Sequence, residues 1–231
     1  MGDGVADHGP EGRAHAPRPS NERDRAAAPP RRARVAVLIS GSGSNLQALL
    51  DACAGPGFPA EVVLVVSNRP GAGGLARAEA AGVPARVVDH RAFEGREAFD
   101  AALDAALREA APDYVCLAGF MRVLTAGFVE GWAGRRLNGH PSLLPLFKGT
   151  KVHEQALAAG VRVSGCTVHL VTPALDDGPI LAQAAVPVLP GDTPESLAAR
   201  VLPQEHRLYP LALRRLIEDG PAVADGVALS A

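Results

Sequence analysis

The feature that most constrains the fold is an apolar run that ends in a glycine-rich turn. Val35-Ala36-Val37-Leu38-Ile39 contains no polar residue, which is typical of a strand buried on both faces of a parallel sheet. The chain continues into Ser40-Gly41-Ser42-Gly43-Ser44-Asn45 and then into helical spacing over 45–53. A buried strand, a tight turn and a helix are the first unit expected of an open α/β sheet.

The same order of elements recurs along the first half of the chain. Apolar runs predict further strands at 62–66, 86–88 and 114–117. Between them and after them, helices are predicted at 74–81, 96–110 and 126–132. This alternation predicts a single α/β domain with a mostly parallel, twisted, Rossmann-like sheet flanked by helices. Ligands of such sheets bind at the carboxyl ends of the strands.

The second half has a different pattern. After Asn138 comes a long loop containing proline and glycine, followed by strands predicted at 163–171 and 180–188. A last helix is predicted over roughly 193–213, and Pro203 is expected to interrupt it or to delay its start. The C-terminal part of the sheet is therefore expected to be mixed.

Residues 1–33 are predicted to be a disordered leader before a folded domain at 34–231, because they are rich in Ala, Pro, Gly and Arg and lack apolar periodicity. They have neither the basic-then-apolar pattern of a signal peptide nor the acid-poor composition of a transit peptide. No apolar run approaches the roughly 18 residues of a membrane span. These observations predict a cytoplasmic protein.

The formal net charge of -2 provides no field that attracts nucleic acid, so an anionic substrate has to be held by a local group of residues. Cys53, Cys116 and Cys166 stand far apart in apolar stretches, and we expect them to be reduced core residues. The expected partners are small molecules, not nucleic acid or a membrane. The sequence is compatible with a monomer or a homodimer.

The turn at 40–45 is typical of a phosphate-binding site. Its glycines let backbone N–H groups approach a ligand, and the following helix start adds unpaired donors. Leu46 stands where a dinucleotide fingerprint needs a third glycine, and the lysine of a Walker loop is absent. One alternative stays open, which is a plain strand-to-helix turn capped by Ser44.

Asn138 and His140 are two residues apart, so in an extended segment both side chains point to one face. Together they could stabilise an oxyanion on a carbonyl carbon and exchange a proton. Asp176 or Asp177, if it reaches His140, would favour the imidazolium and order a water. Spacing alone does not distinguish this from a plain Asp-Gly turn closed by Gly178.

Four segments together resemble the phosphoribosylglycinamide formyltransferase family. They lie at 37–48, 117–122, 138–145 and 165–178, in the same order and at matching intervals. The similarity runs from about residue 34 to about residue 214, which leaves out little besides the leader. The resemblance implies transfer of a formyl group from 10-formyltetrahydrofolate to the amine of glycinamide ribonucleotide, without a metal.

The resemblance also implies roles for individual residues. Asn138 and His140 contact the formyl oxygen, and Asp176 pairs with His140 and positions a water that carries the proton. The positions that bind the ribonucleotide match Gly43, Ser44, Asn45 and Glu205. The positions that bind the folate match Arg96, Met121, Arg122, Val123, Leu124, Asn138, Thr172 and Asp177.

Two positions depart from the family pattern. Gly139 replaces the apolar β-forming residue usual between the Asn and the His, which should loosen the strand by about 0.5–1 kcal/mol. Leu202-Pro203 replaces polar residues often seen before Glu205, which weakens the expectation of substrate contacts there.

Other residues near the motifs are expected to support the site. Thr167 and His169 match positions beside the active site of the family. The only two lysines, Lys148 and Lys151, fall in the loop after Pro145. That loop is either a mobile lid or a solvated surface turn.

Three related functions are the alternatives. A formyltetrahydrofolate deformylase uses the same Asn, His and Asp to send the formyl group to water, but it lacks the Gly-Ser-Asn turn and would carry an N-terminal regulatory domain. A methionyl-tRNA formyltransferase would need a C-terminal RNA-binding domain and a basic surface. A non-catalytic nucleotide- or folate-binding relative would have no need of Asn138, His140 and Asp176 together.

Overall fold

The computed structural model of the chain describes Met1 and residues 31–220 and 227–230. The strands in these residues are β1 (Ala33–Ile39), β2 (Ala60–Ser67), β3 (Ala85–Val87), β4 (Tyr114–Leu117), β5 (Arg136–His140), β6 (Val163–Leu170), β7 (Ile180–Pro187) and β8 (Val227–Ser230). The helices are α1 (Ser44–Ala54), α2 (Gly74–Ala80), α3 (Arg96–Ala110), α4 (Ala126–Gly131), α5 (Val152–Ala158) and α6 (Pro194–Asp219).

All these strands belong to one sheet, in the order β3-β2-β1-β4-β5-β6-β7-β8. The strands from β3 to β5 in this order pair in parallel. β6 is antiparallel to both of its neighbours, and β8 is parallel to β7. The predicted α/β fold, with its mostly parallel sheet and mixed C-terminal part, is confirmed.

β1 is buried because helices cover both faces of the sheet. Its residues from Val35 to Ile39 are 0% exposed. Alternate residues of β1 pack into two core clusters, one shared with α1 and α6 and the other with α3. Each large apolar side chain buried in this way contributes about 1.5–3 kcal/mol to folding. The Ser40–Asn45 turn therefore leaves the sheet from a rigid central strand.

The prediction that Pro203 interrupts the last helix or delays its start is wrong. α6 is continuous and contains both Pro203 and Pro210, and its start is fixed by a capping box between Thr193 and Ser196. A proline inside a helix costs about 3 kcal/mol or more. Pro203 is exposed, so water can bond the carbonyl that it frees, and the buried apolar face of α6 offsets the cost.

The long loop predicted after Asn138 contains a helix that the sequence analysis omitted. α5 has only seven residues and begins after Lys151, which offers no side-chain cap. A short helix without a cap leaves little signal in a sequence. β8 was also not predicted. No strand was predicted at β5, and α6 ends at Asp219 instead of near residue 213. The remaining predicted helices and strands agree with the structure to within about two residues at their ends.

Residues 2–30, most of the predicted leader, lie outside the described residues, so their disorder stays a prediction. The last residues of the predicted leader, which the structure does describe, contact the domain. Arg31 forms an ion pair with Asp113 at 2.8 Å, and Arg32 donates to the carbonyl oxygens of Cys53 and Ala60. In the described part of the chain, no helix is long and apolar enough to cross a membrane. The three cysteines are buried and free, as predicted.

Candidate active site

The predicted oxyanion pair lies at the end of β5, between β4 and β6. Asn138 pairs with Leu117 of β4 and with His169 of β6. His140, two residues further, is 4% exposed. Because alternate residues of a strand share a face, Asn138 and His140 point to the same side and Gly139 to the other, as predicted.

Asp176 is the carboxylate that reaches His140. Its Oδ2 lies 3.5 Å from Nδ1 of His140, and both side chains are nearly fully buried. Asp177 is exposed and pairs with Lys148 instead. Of the two interpretations of this turn, the contact with His140 applies to Asp176, while Asp177 faces solvent.

The loop after β5 contacts both members of this pair. Nε2 of His140 donates to the carbonyl oxygen of Phe147 at 2.9 Å. The backbone N–H of Gly149 donates to Oδ2 of Asp176 at 2.9 Å. A ligand atom that accepts from Nε2 of His140 must therefore displace the Phe147 carbonyl. The mobile lid predicted for this loop stays a prediction.

His169 orients the Asn138 amide. Burial is the largest effect on His169 and lowers its pKa, so its ring is neutral near pH 7. Its Nδ1–H donates to the carbonyl of Leu170 at 2.9 Å, which leaves Nε2 as an acceptor. Nδ2 of Asn138 donates to that Nε2 at 3.3 Å. The second N–H of the amide has no partner among the described residues and is available to a ligand.

Thr167 fixes the path of the loop that follows His140. Its buried hydroxyl donates to the carbonyl of Ser142 at 2.7 Å and accepts from the N–H of Leu144 at 3.0 Å. Gln183, which pairs with Thr167 across β6 and β7, donates to the same oxygen at 3.0 Å. The sequence analysis omitted Gln183, because its contact with the loop depends on strand register. Thr167 has the supporting position expected of it.

The glycine turn opens α1 without a side-chain cap. Gly43 is the N-cap residue, with φ 72°, and Ser44 is already helical, so the alternative in which Ser44 caps the helix is wrong. A Cβ on Gly43 would lie 2.5 Å from Cα of Gly74, which excludes any larger residue. The positive φ and the close approach together require glycine here.

Asn45 and Glu205, two of the predicted ribonucleotide-binding residues, are in contact although 160 residues separate them. Nδ2 of Asn45 donates to Oε2 of Glu205 at 2.7 Å, while Oδ1 of Asn45 is buried without a partner in the described residues. Burial raises the pKa of Glu205, and the Asn45 hydrogen bond and the nearby His140 oppose that shift. Glu205 is thus hydrogen-bonded to the turn and lies near His140.

Arg77 is a residue of this region that the sequence analysis missed. Its Nε donates to the carbonyl of Ser42 at 2.9 Å, and its Nη1 donates to Oε1 of Gln47 at 3.2 Å. The residue lies on α2, far from the turn in sequence, and no local pattern indicates the contact. Only the packing of Gly43 on Gly74 reveals it.

The predicted folate-binding residues come from several segments, chiefly the stretch 121–124 that follows β4. Met121 and Val123 expose their apolar side chains, at 68% and 60% of their full area, and the N–H of Met121 donates to Oγ of Ser40. The guanidinium of Arg122 lies over the ring of Phe99. The others are Arg96 at the start of α3, half-buried Leu124, half-buried Thr172 and exposed Asp177. Their contact with a folate stays a prediction.

Metal ligands are not clustered at the site. Across residues 31–220, and in the rest of the described chain, no group of three or more His, Cys, Asp or Glu side chains could hold a metal ion.

Comparisons with known proteins agree on the family. The chain matches the formyl transferase family over residues 33–213. It is 49% identical to phosphoribosylglycinamide formyltransferase of Escherichia coli (strain K12), over 78% of this chain and 84% of that protein. The crystal structure of phosphoribosylglycinamide formyltransferase from Brucella melitensis matches with 57% identity and a TM-score of 0.77, over 80% of this chain and 96% of that one.

Longer relatives contain the same domain. The trifunctional purine biosynthetic protein adenosine-3 of Bos taurus is 55% identical over 185 residues, which are 80% of this chain and 18% of that protein. The chain therefore spans less than a fifth of the length of these relatives. From the family match and the relatives of similar length, the chain belongs to the formyl transferase family, among the phosphoribosylglycinamide formyltransferases.

Proposed function

We propose that this chain transfers a formyl group from 10-formyltetrahydrofolate to the amine of glycinamide ribonucleotide, as a cytoplasmic step of purine synthesis. The observation that carries the proposal is that Asn138 and His140 share one face of β5 while the buried carboxylate of Asp176 lies 3.5 Å from the His140 ring. The names of the relatives support the choice of reaction. All the residues involved come from one chain, so the proposal holds for a monomer and for a homodimer alike.

The chemistry requires an oxyanion site and a path for one proton. The substrate amine attacks the formyl carbon, a C–N bond forms, and the formyl oxygen becomes an alkoxide. Donors from Asn138 and His140 stabilise that alkoxide. The proton then moves from the attacking nitrogen to N10 of the folate, whose bond to the formyl carbon breaks as the carbonyl re-forms. Asp176 holds the imidazolium of His140 in place during this exchange.

The two substrates are proposed to bind on either side of this cluster. The phosphate of the ribonucleotide is held by the uncapped start of α1 at Gly43, Ser44 and Asn45, and its ribose by Glu205. The folate is proposed to contact the stretch 121–124, whose exposed apolar side chains suit a flat ring system. Arg96, Thr172 and Asp177 complete the proposed folate site. The reaction uses no metal.

The test is an assay of the purified chain with 10-formyltetrahydrofolate, in the presence and in the absence of glycinamide ribonucleotide. The folate should be consumed only when the ribonucleotide is present. Deformylation at the same rate without the ribonucleotide would identify a hydrolase instead. No consumption under either condition would favour a non-catalytic relative.

A further inference from the structure

The guanidinium of Arg77 contacts the turn that is proposed to hold the substrate phosphate, and only some of its N–H groups have a hydrogen-bond partner among the described residues. Its two described hydrogen bonds, to the Ser42 carbonyl and to Gln47, span the first turn of α1. A guanidinium carries five N–H groups, and these contacts use two of them. The other three have no partner among the described residues. Free guanidinium N–H groups beside an uncapped helix start are suited to a phosphate oxygen.

The packing of α2 on the turn explains why Arg77 reaches it. The N–H of Gly74 donates to the carbonyl of Gly41 at 3.1 Å. No side chain separates Gly43 from Gly74, because a Cβ on Gly43 would lie 2.5 Å from the Gly74 backbone and 3.4 Å from Cδ of Arg77. Residues three apart on a helix share a face, so Arg77 lies beside the turn that Gly74 touches.

Two buried polar atoms of this region have no hydrogen-bond partner among the residues that the structure describes. One is Oδ1 of Asn45, and the other is Nε2 of His206, the residue after Glu205 on α6. Arg77 lies close enough to His206 to lower its pKa, an effect second to that of burial. Buried polar atoms are normally hydrogen-bonded, so these two unpartnered atoms indicate space for a polar ligand.

The charge of a phosphate favours a cationic side chain at this turn. A phosphate monoester carries close to two negative charges near pH 7. The residues of the turn are neutral, and the carboxyl of Glu205 lies beside them. Leu202, where relatives often have polar residues, offers only an apolar side chain. Arg77 is a basic side chain that is hydrogen-bonded to the turn.

We propose that Arg77 binds the phosphate of the ribonucleotide directly, while its Nε holds the Ser42 carbonyl and fixes the turn. The inference rests on the proposed function, because it adds a contact to the same substrate site. A direct contact and a purely structural role differ in what they require of residue 77. A direct contact makes the loss depend on the phosphate and on a positive charge at position 77, whereas holding the Ser42 carbonyl requires only an N–H donor. Arg77→Lys should therefore retain a higher kcat/KM with the ribonucleotide than Arg77→Gln, and equal losses in these two variants would refute the direct contact.

The experiment compares Arg77→Met with the unaltered chain on two acceptors, glycinamide ribonucleotide and the glycinamide ribonucleoside that lacks the phosphate. With the ribonucleotide, kcat/KM should fall about 10- to 100-fold, mainly through KM, as expected for a lost charged hydrogen bond. With the ribonucleoside it should change less than about twofold. Equal losses on both acceptors would overturn the proposal. Arg162→Met, which removes an exposed charge, is the matched control.

Two further measurements keep the proposal testable. If Arg77→Met does not fold, Arg77→Lys replaces it in the same comparison, and its loss should again be confined to the ribonucleotide. If the unaltered chain transfers no formyl group, the proposed function fails, and binding of ribose 5-phosphate is measured by calorimetry. At least about tenfold weaker binding by the Arg77 variant supports the contact. Equal affinity, or no binding by the unaltered chain, refutes it.

Discussion

Oδ2 of Asp176 lies 3.5 Å from Nδ1 of His140 and accepts the N–H of Gly149 at 2.9 Å. Because both side chains are nearly fully buried, water and salt screen their attraction only weakly. The carboxylate therefore fixes the orientation of the His140 ring. The backbone donor in turn fixes the carboxylate.

Replacing Asp176 by Asn tests this relationship with little change of shape. Asp176 has φ 48°, a left-handed conformation that Asn also tolerates. We expect Asp176→Asn to lower kcat at least about 100-fold, because the His140 ring loses the carboxylate that orients it for proton exchange. Steady-state kinetics provides the measurement, and Asp219→Asn, at the exposed end of α6, is the control. A near-normal kcat would remove Asp176 from the chemistry.

The hydrogen bond between His169 and Asn138 predicts that replacing His169 lowers kcat by releasing the Asn138 amide. His169→Phe keeps the ring volume but removes the acceptor at Nε2, so the Asn138 amide is no longer held. We expect kcat to fall about tenfold, the value of one modest hydrogen bond. In an Asn138→Ala background the same change should cost almost nothing more. An equal loss in both backgrounds would show that His169 acts by another route.

Gly139 is explained by Tyr209. A Cβ at position 139 would lie 3.2 Å from Cε1 of Tyr209, whose hydroxyl lies 3.0 Å and 3.1 Å from the carbonyl oxygens of Leu117 and Leu137. We expect Gly139→Ala to lower the free energy of unfolding by about 1 kcal/mol, because the anchored ring cannot move aside. Urea unfolding measures this. Greater stability would mean that strand propensity outweighs the crowding.

The buried carboxyl of Glu205 predicts a pH-dependent stability. Its pKa is raised by burial in the folded chain, whereas in the unfolded chain it is about 4.3. The folded state therefore loses stability as pH rises from the unfolded to the folded pKa. Glu205→Gln, which can still accept from Asn45, should be more stable than the unaltered chain near pH 7.5.

Near pH 3, well below the unfolded pKa of about 4.3, the carboxyl is protonated in both states and that difference should disappear. Denaturant unfolding at the two pH values measures it, with Glu218→Gln as an exposed control. The KM for the ribonucleotide should rise at the same time, because the charged contact with the ribose is lost. A stability difference that does not depend on pH would contradict the burial of an ionisable group at this position.

Local patterns predicted much of the fold. The apolar run of β1 and the helical spacing of α3 each reflect burial on a particular face, and such burial leaves a period in the sequence. The two-residue spacing of Asn138 and His140 correctly predicted a shared face, because side chains alternate along a strand. The continuity of α6 through Pro203 could not be predicted, because it depends on how much apolar surface the helix buries against the sheet.

The remaining parts of the site depend on contacts between distant segments. Asp176 and Asp177 have the same local sequence pattern, so the sequence does not show which of them faces His140. The path of the loop back toward β5 determines that Asp176 does. Arg77 reaches the phosphate turn only because two glycines let α2 approach it. The family resemblance indicated Glu205, but its contact with Asn45 required the fold.

The central claim is that the formyl carbon of the folate reaches the amine of the ribonucleotide through Asn138, His140 and Asp176. The most direct measurement is a single turnover of formyl-labelled 10-formyltetrahydrofolate with excess glycinamide ribonucleotide, with the labelled products identified by mass spectrometry. The account predicts that the label appears in the formylated ribonucleotide, and at least about 100-fold more slowly with His140→Ala. Label released as formate, or an undiminished rate in that variant, would contradict it.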